Sequence, residues 1–312
     1  MPEHCFVPVL GKRIRVTSLD DCGNPPASGV VGTSVVTDGF ITATLSSEVE
    51  DGAEIITKKA DGSLCVNQKL ASSFKRFTVG LEFCGVHPSL LEKVTNAQIY
   101  ADWNDDPAGF TVGEGTIDSK FALELWTGLS GTACLPGVAF SGGYMLLPFL
   151  VAGVLGDITV DGENAVTFSL TGAYTQGGNT WDVGPYNVVL DDLGAPAKLP
   201  TALDPLDHLL LIDTSLTPPE PSCDPLPIPP YILTVTPATG VAAGGTATVI
   251  TGSGFTGATA VNFGATPGTS FSVVNNTTIN VTSPAHAAGA VVVTVVNATN
   301  GNSTKSAGFT YT

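Results

Sequence analysis

From Tyr231 to Thr312 the chain has no aspartate or glutamate, and Lys305 is its one charged side chain there. The absence is local. All 28 carboxylates and 11 of the 12 basic residues precede Tyr231, so that part carries 11 − 28 = −17 against −16 for the whole chain. Two segments with different electrostatic duties are joined in one polypeptide. Charge is scarce overall, 13% of residues, while 43% hydrophobic content is ample for packed cores. Basic residues are too few for a surface that grips nucleic acid through phosphates, because that needs Lys and Arg to displace counterions. Long apolar runs are missing too. The most lipid-like stretch, "MLLPFLVAGVLG" at 145–156, is broken by Pro148 and far shorter than the roughly 20 residues that span a bilayer. The opening "MPEHCFVPVLGKRIRV" has no long apolar core behind a basic start, so no export signal is expected.

Catalytic signatures are equally sparse. There is no G-x-S-x-G elbow, no H-E-x-x-H and no G-K-[ST] loop. The six cysteines form no C-x-x-C pair; reduced thiols of a protein made in a cytosol, a disulfide pair and a metal site remain as readings. The four histidines lie far apart, and His87, before Pro88, reads as a helix cap rather than a base. "ADWNDDPAG" places Asp102, Asn104 and Asp106 at alternate positions like a calcium loop. Pro107 stands where the turn glycine belongs and Gly113 where the bidentate Glu should be, leaving a solvated Asx-type turn or an irregular cation site. Gly252, Gly254 and Gly257 spell G-x-G-x-x-G, but no helix and no acidic residue follow, so they read as turn residues supplying positive φ. No catalytic residue, metal or cofactor is expected.

What is present is mostly strand. In "FTVGLEF", Phe77, Val79, Leu81 and Phe83 share one face, the period-2 signature of a sheet with one buried side. "GFITATL", "KFALELW", "GDITV" and "AVTFSLTG" repeat the pattern, with Asp161-Gly162 as a hairpin turn between the last two. Residues 87–96 read as a short helix with Leu90, Leu91 and Val94 as its stripe. The stretch from Phe40 to Gln68 has strands at both ends and a middle too charged for a core, which predicts a long projecting hairpin or loop. Seven of the thirteen residues from Pro218 to Pro230 are proline, a semi-rigid extended spacer. The expected organisation is a β body over 1–217, a linker over 218–230 and a β-sandwich over 231–312; the fold class is all-β with one flanking helix.

The tail module, with "PATGVAAGGTATVITGSGFTGATAVNFG", "SPAH" at 283–286 and a closing "FTYT", resembles the TIG/IPT class of immunoglobulin-like domains. The resemblance implies that Gly252 and Gly254 shape a turn and Phe255 packs inward. In the body, "SSEVEDGAEIITKKADGSLCVNQK", "FKRFTVGLEFCGVHPSLLEKVTN", "GFTVGEGTIDSKFALELWTG" and "GGYMLLPFLVAG" resemble the major tail protein of long-tailed bacteriophages. That resemblance implies hexameric rings stacked into a hollow tube with a β-barrel lumen, and tape measure, tail terminator and tail tip proteins as partners. It also implies a place in the virion tail after assembly in the bacterial cytoplasm, and a segment from Glu48 to Lys59 that bridges rings.

A conduit for DNA must not hold it, and an acidic wall repels the duplex over a Debye length of about 8 Å. Six bodies at −17 bring 6 × −17 = −102 to a ring. Glu82 and Glu124, on polar strand faces, are the expected lumen acids. Lys12, Arg13 and Arg15 form either a solvated strand end or the partner of a neighbour's Glu48, Glu50, Asp51 or Glu54, with Lys58 and Lys59 on the same interface segment. The tail module, hung outside, serves decoration or stabilisation, or weak contact with host-surface glycans multiplied over many copies. Rival classes are a bacterial surface adhesin bearing a TIG module and a carbohydrate-active enzyme with a binding appendage.

Overall fold

The period-2 runs become strands of one curled sheet in the front of the chain and a two-sheet sandwich at its end. A computed structural model describes residues 8–28, 30, 32–103, 107–129, 142–160, 166–222, 228–298 and 301–312. The first strands are β1 (Pro8–Ser18), β2 (Ser34–Thr37), β3 (Phe40–Glu50), β4 (Glu54–Lys58), β5 (Leu64–Lys69) and β6 (Ser73–Phe83). After α1 (Pro88–Val94) come β7 (Gln98–Ala101), β8 (Pro107–Thr111), β9 (Lys120–Leu129), β10 (Gly142–Val151), β11 (Val154–Thr159) and β12 (Thr167–Thr175). β13 (Val189–Leu190), β14 (Pro196–Ala197) and β15 (Leu210–Thr214) complete the body.

Nine strands form the main sheet in the order β2-β1-β9-β10-β12-β6-β3, with β11 on β12 and β15 on β10. The sheet curls on itself. Ile14 and Val16 of β1, Leu123 of β9 and Leu147 of β10 share a core with Val79 and Leu81 of β6 and Leu170 of β12. α1 adds Leu90 and Val94 to that core. It starts where Pro88 presets φ and His87 Nδ1 accepts the Ser89 N–H at 3.3 Å, so His87 is a cap. It stops at Thr95, whose N–H and hydroxyl both donate to the Leu91 carbonyl. The Asp161-Gly162 turn lies outside the described residues, but β11 and β12 on either side of it are antiparallel partners.

Residues 145–151 of the lipid-like stretch lie in β10, a central strand covered on both faces, which is why the apolar run there is unbroken by alternation, and 154–156 open β11. Pro148 falls in the register shift between Leu147 and Leu150, where no ladder hydrogen bond is lost. On the face away from the main core, Ala122, Trp126, Tyr144 and Leu146 pack under Trp181, Tyr186, Val188 and Leu199. The covering segment, residues 176–209, is nearly all irregular, with only β13 and β14 as a short ladder.

The described ends of the proline-rich segment, 218–222 and 228–230, touch the body. Ser222 N–H donates to Val36 O, Glu220 pairs with Arg13 at 3.7 Å, and Ile228 is fully buried in the Trp126–Tyr186 cluster. A chain stiffened by proline loses little entropy on ordering, and full burial of one isoleucine contributes about 1.5–3 kcal/mol.

The last 82 residues, 231–312, form two facing sheets. One contains β16 (Tyr231–Thr236), then, across β17 (Thr239–Gly240) of the other, β18 (Ala247–Ser253). β19 (Ala258–Phe263), β20 (Thr266–Pro267), β21 (Thr269–Asn275), β22 (Thr278–Thr282), β23 (Gly289–Asn297) and β24 (Ser303–Tyr311) follow. The orders are β16-β18-β22-β21 and β17-β24-β23-β19-β20, and Ile250, Phe263, Ile279, Val293 and Phe309 fill the space between them. Phe255 is fully buried among these residues. Gly254 has φ +77°, as a turn glycine should, but Gly252 does not have positive φ. It is required because a Cβ there would run into the Tyr231 carbonyl, and its N–H donates to Thr277 O.

Candidate assembly surface

β3 and β6 pair from Phe40↔Phe83 to Glu50↔Ser73, and β4 and β5 continue the same hairpin as a free two-stranded arm from Glu54↔Lys69 to Lys58↔Leu64. The expected projecting hairpin is therefore present. Every residue of β4 and β5 is exposed. The register gives the arm two distinct faces. Ile55, Thr57, Val66 and Gln68 lie on one, and Glu54, Ile56, Asn67 and Lys69 on the other, up to a register shift before the Lys58↔Leu64 pair. A strand pair this rich in aliphatic residues normally rests at least one face on a core. Here aliphatic side chains of both faces meet solvent: Ile55 is 46% exposed, Ile56 50%, Leu64 52% and Val66 41%. Val49, Leu70 and Phe74, nearer the body, are also exposed. Beside the arm, β3 is a terminal strand of the main sheet, with one row of backbone groups unpaired within it.

The charged candidates divide. Glu48 accepts Arg76 Nε at 2.7 Å across the β3–β6 ladder, and Arg76 also lies over the Tyr174 ring. Asp51 pairs with Lys69 at 3.5 Å, with both side chains largely exposed. Glu50, Glu54, Lys58 and Lys59 are exposed along the same hairpin. Lys12 is exposed on β1, and Arg13 pairs with Asp38 at 3.3 Å. Glu82 is half-buried on β6, in register with Thr42 and Ser169, a polar row as expected.

Arg15 and Glu124 depart from the expectation. Neither belongs to a solvated face: Arg15 is 8% exposed and Glu124 0%. They are cross-strand neighbours on β1 and β9, joined by two bonds of 2.6 Å, Nε to Oε2 and Nη2 to Oε1. Tyr144 donates its hydroxyl to the same Oε1 at 2.7 Å. The guanidinium carbon lies 3.3 Å from the Tyr186 ring centroid and 5.0 Å from that of Trp126. Tyr186 in turn shares a hydrogen bond with Thr17. Burial opposes the Arg15 charge, but the field and hydrogen bonds of Glu124 outweigh it and hold the guanidinium more basic than usual. Burial first, and Glu124 second, push the Tyr144 phenol well above its usual range, which keeps it a donor. The reason for the departure is residues 176–209. They cover the face that Arg15 and Glu124 share, and sequence alternation alone does not reveal a cover without periodicity of its own.

Among the cysteines, Cys22, Cys65 and Cys84 are free and exposed; the other three, with Asn104 and Asp106 of the calcium-like loop, lie outside the described residues. Two packed sheets with Phe255 inward define an immunoglobulin-like sandwich at the end of the chain. More narrowly, residues 230–312 match the IPT/TIG domain family. No curated protein matches the chain.

Proposed function

We propose that the chain is a structural protein that polymerises as rings into a tube, the tail tube of a long-tailed bacteriophage, with the IPT/TIG module carried on the outside. The observation that carries the reading is the arm over 54–69, whose aliphatic side chains have no cover among the described residues. Such a surface is a liability in a monomer and an interface in a polymer. Each aliphatic side chain there is about half exposed, so its burial against a neighbour contributes about 1 kcal/mol, and an arm several. The unpaired flank of β3 supports the same reading, since closing edges into a ring removes them. The acidic body supports passage of DNA without adhesion. Hexameric rings, tape measure, terminator and tip proteins as partners, and assembly in the bacterial cytoplasm into the virion tail come from the resemblance of the body and belong to the proposal. A surface adhesin is the second reading, favoured by the IPT/TIG match alone.

Negative-stain microscopy of the purified chain tests the proposal. Rings or tubes are expected. Replacing Ile55, Ile56, Leu64 and Val66 together by threonine keeps strand propensity and alters only exposed positions, so the subunit still folds while assembly is lost. A parent that stays a single particle at every concentration, or a variant that assembles equally well, refutes it.

A further inference from the structure

Where the body meets the IPT/TIG module there is a cavity of about 310 Å³. Its walls come from both sides: Asn187, Asp191 and Lys198 from the body, and Tyr231, Thr304 and Lys305 from the module. Lys305 is the module's single charged residue, and it stands here. Lys198, half-buried, holds its ammonium 3.7 Å from the Tyr231 ring centroid. Among the described residues neither lysine forms an ion pair. Asp191, the one carboxylate in the wall, is already engaged. Its Oδ1 accepts from the N–H groups of Leu193 and Ala195, both at 2.9 Å. The lining therefore carries two cations against one satisfied anion, in a chain whose net charge is −16.

We propose that this seam cavity binds a sugar bearing one oxyanion, a phosphate or a carboxylate. The two ammonium groups meet the oxyanion, and the Asn187 amide and Thr304 hydroxyl serve the sugar's hydroxyls. A polar cavity at the small end of the usual ligand range, about 300–1,000 Å³, holds roughly one sugar unit. Burial already acts against the Lys198 charge, with Asp182 opposing that only in part, and a bound oxyanion supplies the missing counter-charge. The site needs both halves of the chain, so the ligand also clamps the module to the body. The proposal stands apart from tube formation, since every wall residue comes from one subunit.

The test is calorimetric titration of the full chain, at fixed ionic strength, with α-glucosyl phosphate, glucuronate and uncharged glucose. At least one anionic sugar binds at millimolar concentration and glucose does not; which one binds tells phosphate from carboxylate. Lys198→Gln and Lys305→Gln each weaken binding about tenfold or more, the loss of one charge-assisted hydrogen bond, while Lys305→Arg retains it. Unchanged melting of the ligand-free variants shows that they fold. Failure of both anionic sugars, equal binding of glucose, or affinity indifferent to both glutamine substitutions overturns the proposal.

Discussion

Replacing Glu124 by leucine leaves the Arg15 guanidinium buried between Trp126 and Tyr186 without its carboxylate. Breaking a buried pair from one side costs about 3–5 kcal/mol, and each kcal/mol lowers the melting temperature of a body this size by about 2–4 °C. The expected loss is on the order of 6–20 °C. Near-ultraviolet circular dichroism is the suitable assay, because Trp126 and Trp181 both sit in this cluster and report its packing directly. The double variant Arg15→Met/Glu124→Leu recovers much of the loss, since an apolar pair in the same space has no charge to desolvate. Recovery stays incomplete while Tyr144 keeps a buried hydroxyl without its acceptor, about 1–3 kcal/mol, and adding Tyr144→Phe removes that remainder. Salt leaves the parent's melting at this site unchanged, because a pair shut away from solvent is not screened. A Glu124→Leu single variant that melts with the parent refutes the reasoning.

Two further outcomes follow from particular contacts. Gly252→Ala forces a Cβ into the Tyr231 carbonyl and destabilises the IPT/TIG module by more than about 1 kcal/mol, read as a lower urea midpoint of the module's transition. His208, bonded through Nδ1 to Thr175 Oγ1 at 2.7 Å with the Phe74 ring against its edge, is held below the usual histidine pKa by burial, with Asp207 opposing. Its folded value lies below the unfolded one, so stability is full above about pH 6.5 and falls as pH drops below that toward the folded value. His208→Gln flattens the urea-midpoint profile in that window, and an unchanged slope in the variant counts against the assignment.

The strands were legible because alternation survives wherever one face is covered. Val79, Leu81 and Phe83 point into the main core as their spacing demands, and the helix at Pro88 starts on the residues that its capping chemistry requires. What stayed hidden is the second covering of β1, β9 and β10. In "KFALELW", Phe121, Leu123 and Leu125 announce one buried face, while Ala122, Glu124 and Trp126 look like a polar face with an incidental tryptophan. That tryptophan was the available signal. With Tyr144 on the adjacent strand in register with Trp126, two large aromatics on a supposedly wet face mark it as covered. The docking of the linker through Ile228 was hidden for a related reason, because one apolar residue among prolines has no period to betray it.

The buried pair leaves the charge argument intact and sharpens it. Arg15 and Glu124 cancel, so the rest of the first 230 residues holds 10 basic and 27 acidic groups, and 10 − 27 is still −17. None of that excess is spent inside on this pair; in the proposed tube the ionised groups that remain would face solvent, the lumen or another subunit. Copies of such a body repel one another, and exposed pairs such as Asp51–Lys69 return about 0–1 kcal/mol each. In the proposed tube, cohesion between copies would therefore come from apolar burial. The exposed aliphatic side chains of the arm would supply that burial, set on a hairpin that extends beyond the curled sheet.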